Sequence, residues 1–356
     1  MKVGIVGMPN AGKSSLFNAL TKSGADAANY PFTTIEPNVA IVPVRDERLD
    51  AVAQVVGASA VVPDTIAFHD IAGLVRGAHE GEGLGNQFLA NIRETDAIVH
   101  VVRAHGDDNV VHPEGLVDPL RDIETIETEL VYADLDQAER RHQRVVRTAR
   151  SGDKAAIAEE AWLREVVEAL QQGRPARTVP RPAELPETLF ALTAKPVLFV
   201  ANVDEGDTAV PEAIAAHAAA QGARSVAVSA RIEAELSELD DEDAAAMRGD
   251  MGLTESGLDR VVRGAFELLG LIAFFTAGEA KPAQSWHMRD GLSAWHAAGA
   301  IHSDIQKGFV RAEVIGWREL VDAGGYAPAR DKGVLRLEGR DYAMRDGDVI
   351  TIKFTP

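Results

Sequence analysis

A glycine-bounded segment near the N-terminus constrains the fold of this chain more than any other feature. Residues 7–14 read Gly-Met-Pro-Asn-Ala-Gly-Lys-Ser and match the pattern G-x-x-x-x-G-K-[ST] at every fixed position. An apolar, strand-like run precedes the segment at residues 3–6, and a helix-like stretch follows at residues 15–20. In this context such a loop turns its backbone N–H groups toward phosphate oxygens. We therefore predict a phosphate-binding loop that opens an α/β domain.

The residues of this loop have separate predicted roles. Lys13 brings a positive charge to the β- and γ-phosphates, and the Ser14 hydroxyl is a ligand for Mg²⁺. Asn10 either holds a monovalent cation such as K⁺ against the phosphates or only stabilises the loop. The predicted phosphate contacts are Asn10, Ala11, Gly12, Lys13, Ser14 and Ser15.

Two further segments supply predicted contacts to Mg²⁺ and the γ-phosphate. Asp70 ends a strand-like run, where its carboxylate can hold the Mg²⁺ shell, and the Gly73 N–H can reach the γ-phosphate. A loop at residues 30–38 contains two adjacent threonines. We expect Thr34, rather than Thr33, to complete the Mg²⁺ shell, so that the loop is ordered by nucleotide and released after hydrolysis.

Apolar runs that alternate with helical stretches predict a parallel sheet. The runs are residues 3–6, 65–68, 97–102, 197–200 and 226–228. Two long helical stretches without strands interrupt them and predict an inserted antiparallel hairpin, and short alternating strands around Asp-Gly turns follow after about residue 276. The predicted organisation is a nucleotide-binding domain at residues 1–122 and 187–275, a helical hairpin at 123–186 and a small β domain at 276–356.

Composition limits the classes of partner and location. The 356-residue chain has a net charge of −19, which on average repels nucleic acid. Arg140, Arg144 and Arg147 nevertheless share one face of the first hairpin helix, which is either a solvated face or a contact with RNA or the ribosome.

Disulfides and thiolate metal sites are excluded because the chain has no cysteine. Because there is no apolar run of about 18 residues and no leader-like N-terminus, we expect a cytoplasmic protein with no membrane partner.

The segment most informative about base recognition lies at residues 202–205, which read Asn-Val-Asp-Glu where a guanine-binding protein usually carries Asn-Lys-x-Asp. Guanine presents N–H donors to that aspartate, whereas adenine presents an acceptor at N1. Val203 replaces the lysine and Glu205 replaces the aspartate, so the segment is poorly suited to guanine. We expect adenine to be bound by Asn202 and the main chain near Val203, with Ser229 in a second loop beside the base.

Taken together, these motifs resemble the YchF branch of the Obg-related P-loop NTPases. The residues that carry the resemblance are 8–14 (Met-Pro-Asn-Ala-Gly-Lys-Ser), 30–38 (Tyr-Pro-Phe-Thr-Thr-Ile-Glu-Pro-Asn), 70–75 (Asp-Ile-Ala-Gly-Leu-Val), 202–205, 274–279 (Phe-Phe-Thr-Ala-Gly-Glu), 301–304 (Ile-His-Ser-Asp) and 307–314 (Lys-Gly-Phe-Val-Arg-Ala-Glu-Val). The resemblance covers essentially the whole chain. It implies a G domain with an inserted helical hairpin and a C-terminal TGS domain of β-grasp fold. It also implies ATP binding, slow ATP hydrolysis and association with ribosomes.

The predicted hydrolysis machinery departs from that of Ras-like enzymes, in which a glutamine after D-x-x-G orients the attacking water. Leu74 stands at that position here, so catalysis is slow or needs another group. The resemblance places His112 as a candidate catalytic histidine. Asn10 with a bound K⁺, and Lys13, are the other candidates.

Three functions stay open on the sequence alone. The first is a monomeric ATPase switch that contacts ribosomal RNA or protein through the arginine face and the TGS domain. The second is an Obg-class GTPase with a degenerate base-reading motif. The third is a nucleotide-gated binding module with negligible hydrolysis.

Overall fold

The computed structural model describes residues 1–23, 38–71, 84–106, 117–253 and 255–355. The predicted site residues Thr34, Gly73 and His112 lie outside these ranges. The described chain forms two compact units, one of residues 1–42 and 67–268, the other of residues 43–66 and 269–356. No described helix is long and apolar enough to cross a membrane.

The secondary structure follows the predicted alternation. The strands are β1 (Lys2–Val6), β2 (Val39–Pro43), β3 (Val61–Val62), β4 (Thr65–Asp70), β5 (Ala97–Arg103), β6 (Val197–Asn202), β7 (Arg224–Val228), β8 (Leu271–Thr276), β9 (Ala283–Arg289), β10 (Phe309–Gly316), β11 (Arg336–Glu338) and β12 (Asp348–Phe354). The helices are α1 (Lys13–Ser23), α2 (Glu47–Val56), α3 (Leu84–Arg93), α4 (Pro119–Ala149), α5 (Lys154–Gln171), α6 (Glu212–Ala220), α7 (Ala230–Leu236), α8 (Asp241–Asp250), α9 (Gly257–Leu268), α10 (Ala294–Ile301), α11 (Ser303–Lys307), α12 (Trp317–Ala323) and α13 (Tyr326–Asp331).

The first unit is built on a six-stranded sheet in the order β2-β4-β1-β5-β6-β7. The pairs β4–β1, β1–β5, β5–β6 and β6–β7 are all parallel. Every residue of β5 is buried, as expected of a central strand covered on both faces. The predicted α/β fold with a parallel sheet is confirmed, and the carboxyl ends of β1, β5, β6 and β7 meet at one edge.

A long helical hairpin interrupts the sheet between β5 and β6, where the sequence predicts an insertion. Asp118 caps α4 by accepting a hydrogen bond from the Arg121 N–H, and Asp153 caps α5 through the Ala156 N–H. Between the two helices Gly152 adopts φ +87°, a conformation that few other residues tolerate.

A buried carboxylate fastens the hairpin to the entrance of β6. Asp134 of α4 is 0% exposed and accepts hydrogen bonds from the N–H groups of Leu192 and Thr193 and from the Thr193 hydroxyl. Burial raises the pKa of Asp134, against the effect of these three bonds. The base of the hairpin is therefore held by specific polar contacts in addition to apolar packing.

The second unit contains a six-stranded sheet in the order β11-β10-β12-β8-β9-β3. Its core includes Phe274, Ala297, Val314 and Ile350 from β8, α10, β10 and β12. The sequence predicts a β domain from residue 276, whereas this unit begins at residue 269 and also contains residues 43–66, which the sequence places in the nucleotide-binding domain. Whether this unit is a TGS domain stays a prediction.

Long-range bonds explain why residues 43–66 belong to the second unit. Strand β3 pairs in parallel with β9. Asp64 accepts from the His287 backbone N–H at 3.0 Å and lies 2.9 Å from His287 Nδ1. Arg48 of α2 bonds Asp346 and lies 5.6 Å above the Phe275 ring. No local sequence signal predicts these contacts, because β3 has only two residues.

Candidate functional site

The phosphate-binding loop adopts a strained turn that only a small set of residues permits. Asn10 has φ +63° and Gly12 has φ +98°. A Cβ on Gly12 would lie 2.2 Å from the side-chain nitrogen of Asn202, and one on Gly7 would lie 2.4 Å from the Val101 carbonyl oxygen. Glycine is therefore required at both positions, because atoms of β5 and β6 leave no room for a Cβ. At Gly12 the positive φ also disfavours any other residue.

Lys13 begins α1 and folds back over the loop. Its Nζ donates to the Met8 carbonyl at 2.9 Å, and the side chain is buried. Burial lowers the pKa of Lys13, while the negative charge of Asp70 acts in the opposite direction. The pKa of Asp70 is raised by burial and lowered in part by Lys13. Each charge therefore favours the other, and Asp70 is in register with Ile5 on β1, the strand that leads into the loop.

Asn202 joins the phosphate-binding loop to the segment between β7 and α7. Its side-chain nitrogen donates to the Ala11 carbonyl at 3.1 Å, and its side-chain oxygen accepts from the Ala230 N–H at 3.0 Å. The residue is 5% exposed. Both ends of its amide therefore hold two loops in place, and the contact of Asn202 with adenine stays a prediction.

The residues next to Asn202 differ in how they face the site. The Val203 side chain is buried, and its N–H donates to the Val228 carbonyl at 3.0 Å. Ala11 is also buried, and its N–H donates to Met8 at 3.2 Å. Both N–H groups are therefore bonded within the protein, and the predicted nucleotide contacts at Ala11 and Val203 stay predictions.

A cavity of about 1090 Å³ opens at the carboxyl ends of the parallel strands, where ligands bind in open α/β sheets. Predicted site residues that line it are Asn10, Gly12, Lys13, Ser14, Ser15, Asn202, Val203 and Ser229. Lining residues that sequence reasoning did not assign to the site include His105, Gly106, Asp204, Glu205, Arg231 and Glu235. His105 and Gly106 follow the end of β5, so their position just past a strand end is the signal that could have identified them.

The oxygen atoms near Lys13 suit a hard divalent cation. Ser14 lines the cavity, and Asp70 lies close enough to Lys13 to affect its pKa. Within the described ranges, no three His, Cys, Asp or Glu residues form a ready metal cluster. Mg²⁺ commonly takes only one or two protein ligands and fills its shell with water and phosphate oxygens. The hydroxyl of Ser14 and the carboxylate of Asp70 fit that requirement.

One histidine near the loop cannot act as a general base. His100 lies in β5 in register with Val6, immediately before the loop. Its side chain is buried, and burial lowers its pKa to about 3. The ring packs against Phe199 with centroids 5.4 Å apart. His100 is therefore part of the core beneath the site.

Comparison with known proteins identifies the family. Residues 2–136 match the family model described as a 50S ribosome-binding GTPase, and residues 271–355 match the model YchF-GTPase_C, described as a protein of unknown function. The chain is 46% identical over 363 residues to the Ribosome-binding ATPase YchF of Bacillus subtilis, with 99% of each chain covered. The chain belongs to the YchF family. A YchF relative from Haemophilus influenzae is 48% identical over 359 residues, again with 99% of each chain covered.

A solved YchF structure supports the same fold. The structure of the Schizosaccharomyces pombe YchF GTPase matches with a TM-score of 0.88 and 34% identity, covering 99% of this chain and 97% of the other. The predicted YchF-type, Obg-like P-loop fold is thus confirmed. The names of the YchF relatives disagree about the nucleotide, because the bacterial proteins are named ATPases and the yeast protein a GTPase.

Proposed function

We propose that this protein is a nucleotide-dependent switch that binds ATP, hydrolyses it slowly to ADP and phosphate, and acts on ribosomes in the cytoplasm. The observation that carries the proposal is the base side of the cavity. Val203 is buried at the position where a guanine-binding protein has lysine, and Glu205 is in contact with Arg231. The name of the bacterial relatives, Ribosome-binding ATPase YchF, supports the same function.

In this proposal each part of the loop has one task. Lys13 neutralises charge that builds up on the β- and γ-phosphates, and the α1 N-terminus adds a favourable dipole. Ser14 and Asp70 hold Mg²⁺, which supplies further charge neutralisation when bound, and Thr34 and Gly73 complete the contacts to the metal and the γ-phosphate. Turnover is slow because Leu74 cannot orient a water molecule.

Two further groups are proposed to assist hydrolysis. Asn10, which has a positive φ and lines the cavity, holds K⁺ near the phosphates. His112 is proposed to position the attacking water, a task for which the imidazole of histidine is suited because it can donate or accept a proton. Support for His112 comes from its position in the family motif.

Nucleotide preference tests the proposal directly. With Mg²⁺ present, we expect the purified protein to bind ATP at least ~10-fold more tightly than GTP, which corresponds to ~1.4 kcal/mol. The measurement is competition of unlabelled ATP and GTP against a fluorescent ATP analogue at equilibrium. Equal affinities, or a preference for GTP, would favour the second candidate function, an Obg-class GTPase. The names of the yeast structure and of the matched G-domain model favour that candidate.

A third candidate, a binding module with negligible hydrolysis, is distinguished from the other two by its rate of hydrolysis and not by its nucleotide affinity. Phosphate release would be measured with and without K⁺ and with and without ribosomes. Release that stays at background in all four conditions, while ATP binds, would identify a binding module.

The ribosome contact is proposed to lie at the tip of the hairpin. Arg140, Arg144 and Arg147 are all exposed on α4. Arg140 pairs with Asp136 at 2.9 Å, whereas neither Arg144 nor Arg147 has an ion-pair partner among the described residues. Cationic side chains without local partners suit the phosphates of ribosomal RNA. The second unit, as a TGS domain, is proposed to supply a further contact, and the protein is proposed to act as a monomer.

Charge reversal tests the hairpin contact. We expect Arg144→Glu/Arg147→Glu to weaken ribosome cosedimentation about 10-fold or more while ATP affinity is unchanged, since contacts to phosphate are lost. Wild-type binding should also weaken as salt rises. Arg174→Glu/Arg263→Glu makes the same change in net charge away from the tip and is the control. Equal loss in both variants would show that net charge, and not the tip, governs the association.

A further inference from the structure

Arg231, on α7, contacts the loop that follows β6 at the edge of the cavity. Its Nε lies 3.3 Å from Oε1 of Glu205, in the loop that follows β6, and 3.2 Å from Oε1 of Glu235, one turn further along α7. All three residues line the nucleotide cavity. The arginine is therefore placed where it can set the position of the Glu205 carboxylate.

Glu205 needs such control because of the chemistry of its position. A guanine-binding protein carries aspartate there, and its carboxylate accepts hydrogen bonds from two donors on guanine. A glutamate that was free to enter the cavity could approach the same donors with its longer side chain. Asp204, Glu235 and Glu238 also line this side of the cavity. Their carboxylates carry the same charge as Glu205 and cannot hold it by attraction. A neighbouring cation is what can hold Glu205 away from the base.

We propose that Arg231 is a specificity-determining positioning residue, which holds the Glu205 carboxylate away from the base and so disfavours GTP relative to ATP. This inference rests on the proposed ATP-binding function and explains how a chain that retains a carboxylate beside the base avoids binding guanine. The pair is exposed, with side chains 74% and 53% accessible, so its effect is moderate.

The test compares the ratio of dissociation constants for GTP and ATP, measured by equilibrium competition with Mg²⁺. In Arg231→Ala the ratio should fall about threefold to tenfold, because the released carboxylate can accept hydrogen bonds from guanine. Arg231→Lys should restore most of the wild-type ratio, since the positive charge is kept. Arg263→Ala is the matched control. Arg263 is an exposed arginine paired with Glu255 at 2.7 Å, and it does not line the cavity.

The double variant Arg231→Ala/Glu205→Ala identifies the route of the effect. If Arg231 acts through Glu205, the ratio should return toward the wild-type value when the carboxylate is also removed. An unchanged ratio in Arg231→Ala would overturn the proposal, and so would a fall that persists in the double variant. A merely structural role would weaken both nucleotides equally and leave the ratio unchanged.

Failure of the proposed function gives a different result. A wild-type protein that prefers GTP would overturn the ATP assignment before any substitution is made. The change in the ratio on replacing Arg231 would still support or overturn the role of that residue, because the ratio is measured relative to the wild type.

Discussion

Replacement of Gly12 with alanine is expected to lower nucleotide affinity by ~100-fold or more, about 2.8 kcal/mol of binding free energy. Two effects combine at this position. The φ of +98° disfavours any side chain, and a Cβ would lie 2.2 Å from the side-chain nitrogen of Asn202. The loop or Asn202 must therefore move. Either movement breaks the bond from Asn202 to the Ala11 carbonyl and opens the site.

A second glycine separates strain from the clash with Asn202. Gly152 has φ +87°, close to that of Gly12, but a Cβ there would meet nothing within 4 Å. Gly152→Ala should cost about 1–2 kcal/mol of folding stability and leave nucleotide affinity unchanged. The measurements are equilibrium titration with a fluorescent ATP analogue and thermal unfolding of both variants. Nucleotide binding by Gly12→Ala at wild-type affinity would show that the loop does not hold the phosphates in this way.

The contact between Gly12 and Asn202 also shows what the sequence can and cannot predict about the site. The pattern of glycines, Lys13 and Ser14 is local, so it identifies the phosphate-binding loop and the strand and helix on either side of it. The bond from Asn202 to Ala11 joins residues 191 positions apart. No local pattern encodes such a bond, so the sequence alone does not show that Asn202 holds two loops together.

The base-side rim is a second case. Residues 202–205 indicate by their identity that guanine is disfavoured, yet they do not reveal which group holds the Glu205 side chain. That partner, Arg231, is the second residue of α7, the helix that follows the neighbouring strand β7. The parallel sheet places the ends of β6 and β7 side by side. Only this arrangement shows that Arg231 and Glu205 form an ion pair.

The fold itself was predicted where periodicity is long and regular. The parallel strands and the 31-residue helix α4 carry clear apolar patterns, and all of them are present. The placement of residues 43–66 was not predictable, because a helix followed by a two-residue strand gives no sign of which sheet will receive it. Its partners are more than 200 residues away, at Ser285 and His287.

Removal of residues 269–356 is expected to destabilise the remaining nucleotide-binding unit. Residues 43–66 would lose the pairing of β3 with β9 and the bonds from Arg48 to Asp346. Apolar side chains of α2 that are now buried, such as Leu49 and Val52, would be exposed at a cost of about 1.5–3 kcal/mol each. We expect the nucleotide-dependent thermal transition of the fragment 1–268 to fall by roughly 10 °C relative to the full chain.

The geometry of residues 43–66 provides a variant that should rescue this fragment. The Val44 N–H donates to the Asp64 carbonyl at 2.8 Å, so the two ends of the excursion already lie side by side. Strands β2 and β4, which it connects, are neighbours in the first sheet. Replacing residues 45–63 by a short Gly-Ser turn in the fragment 1–268 should therefore remove the exposed apolar surface and keep the sheet. We expect this variant to recover most of the lost transition temperature and to bind less of a hydrophobic dye than the fragment that retains residues 45–63. A fragment 1–268 as stable as the full chain would show that residues 43–66 are held by other contacts. If the short turn does not restore the transition temperature, the lost stability does not come from residues 43–66.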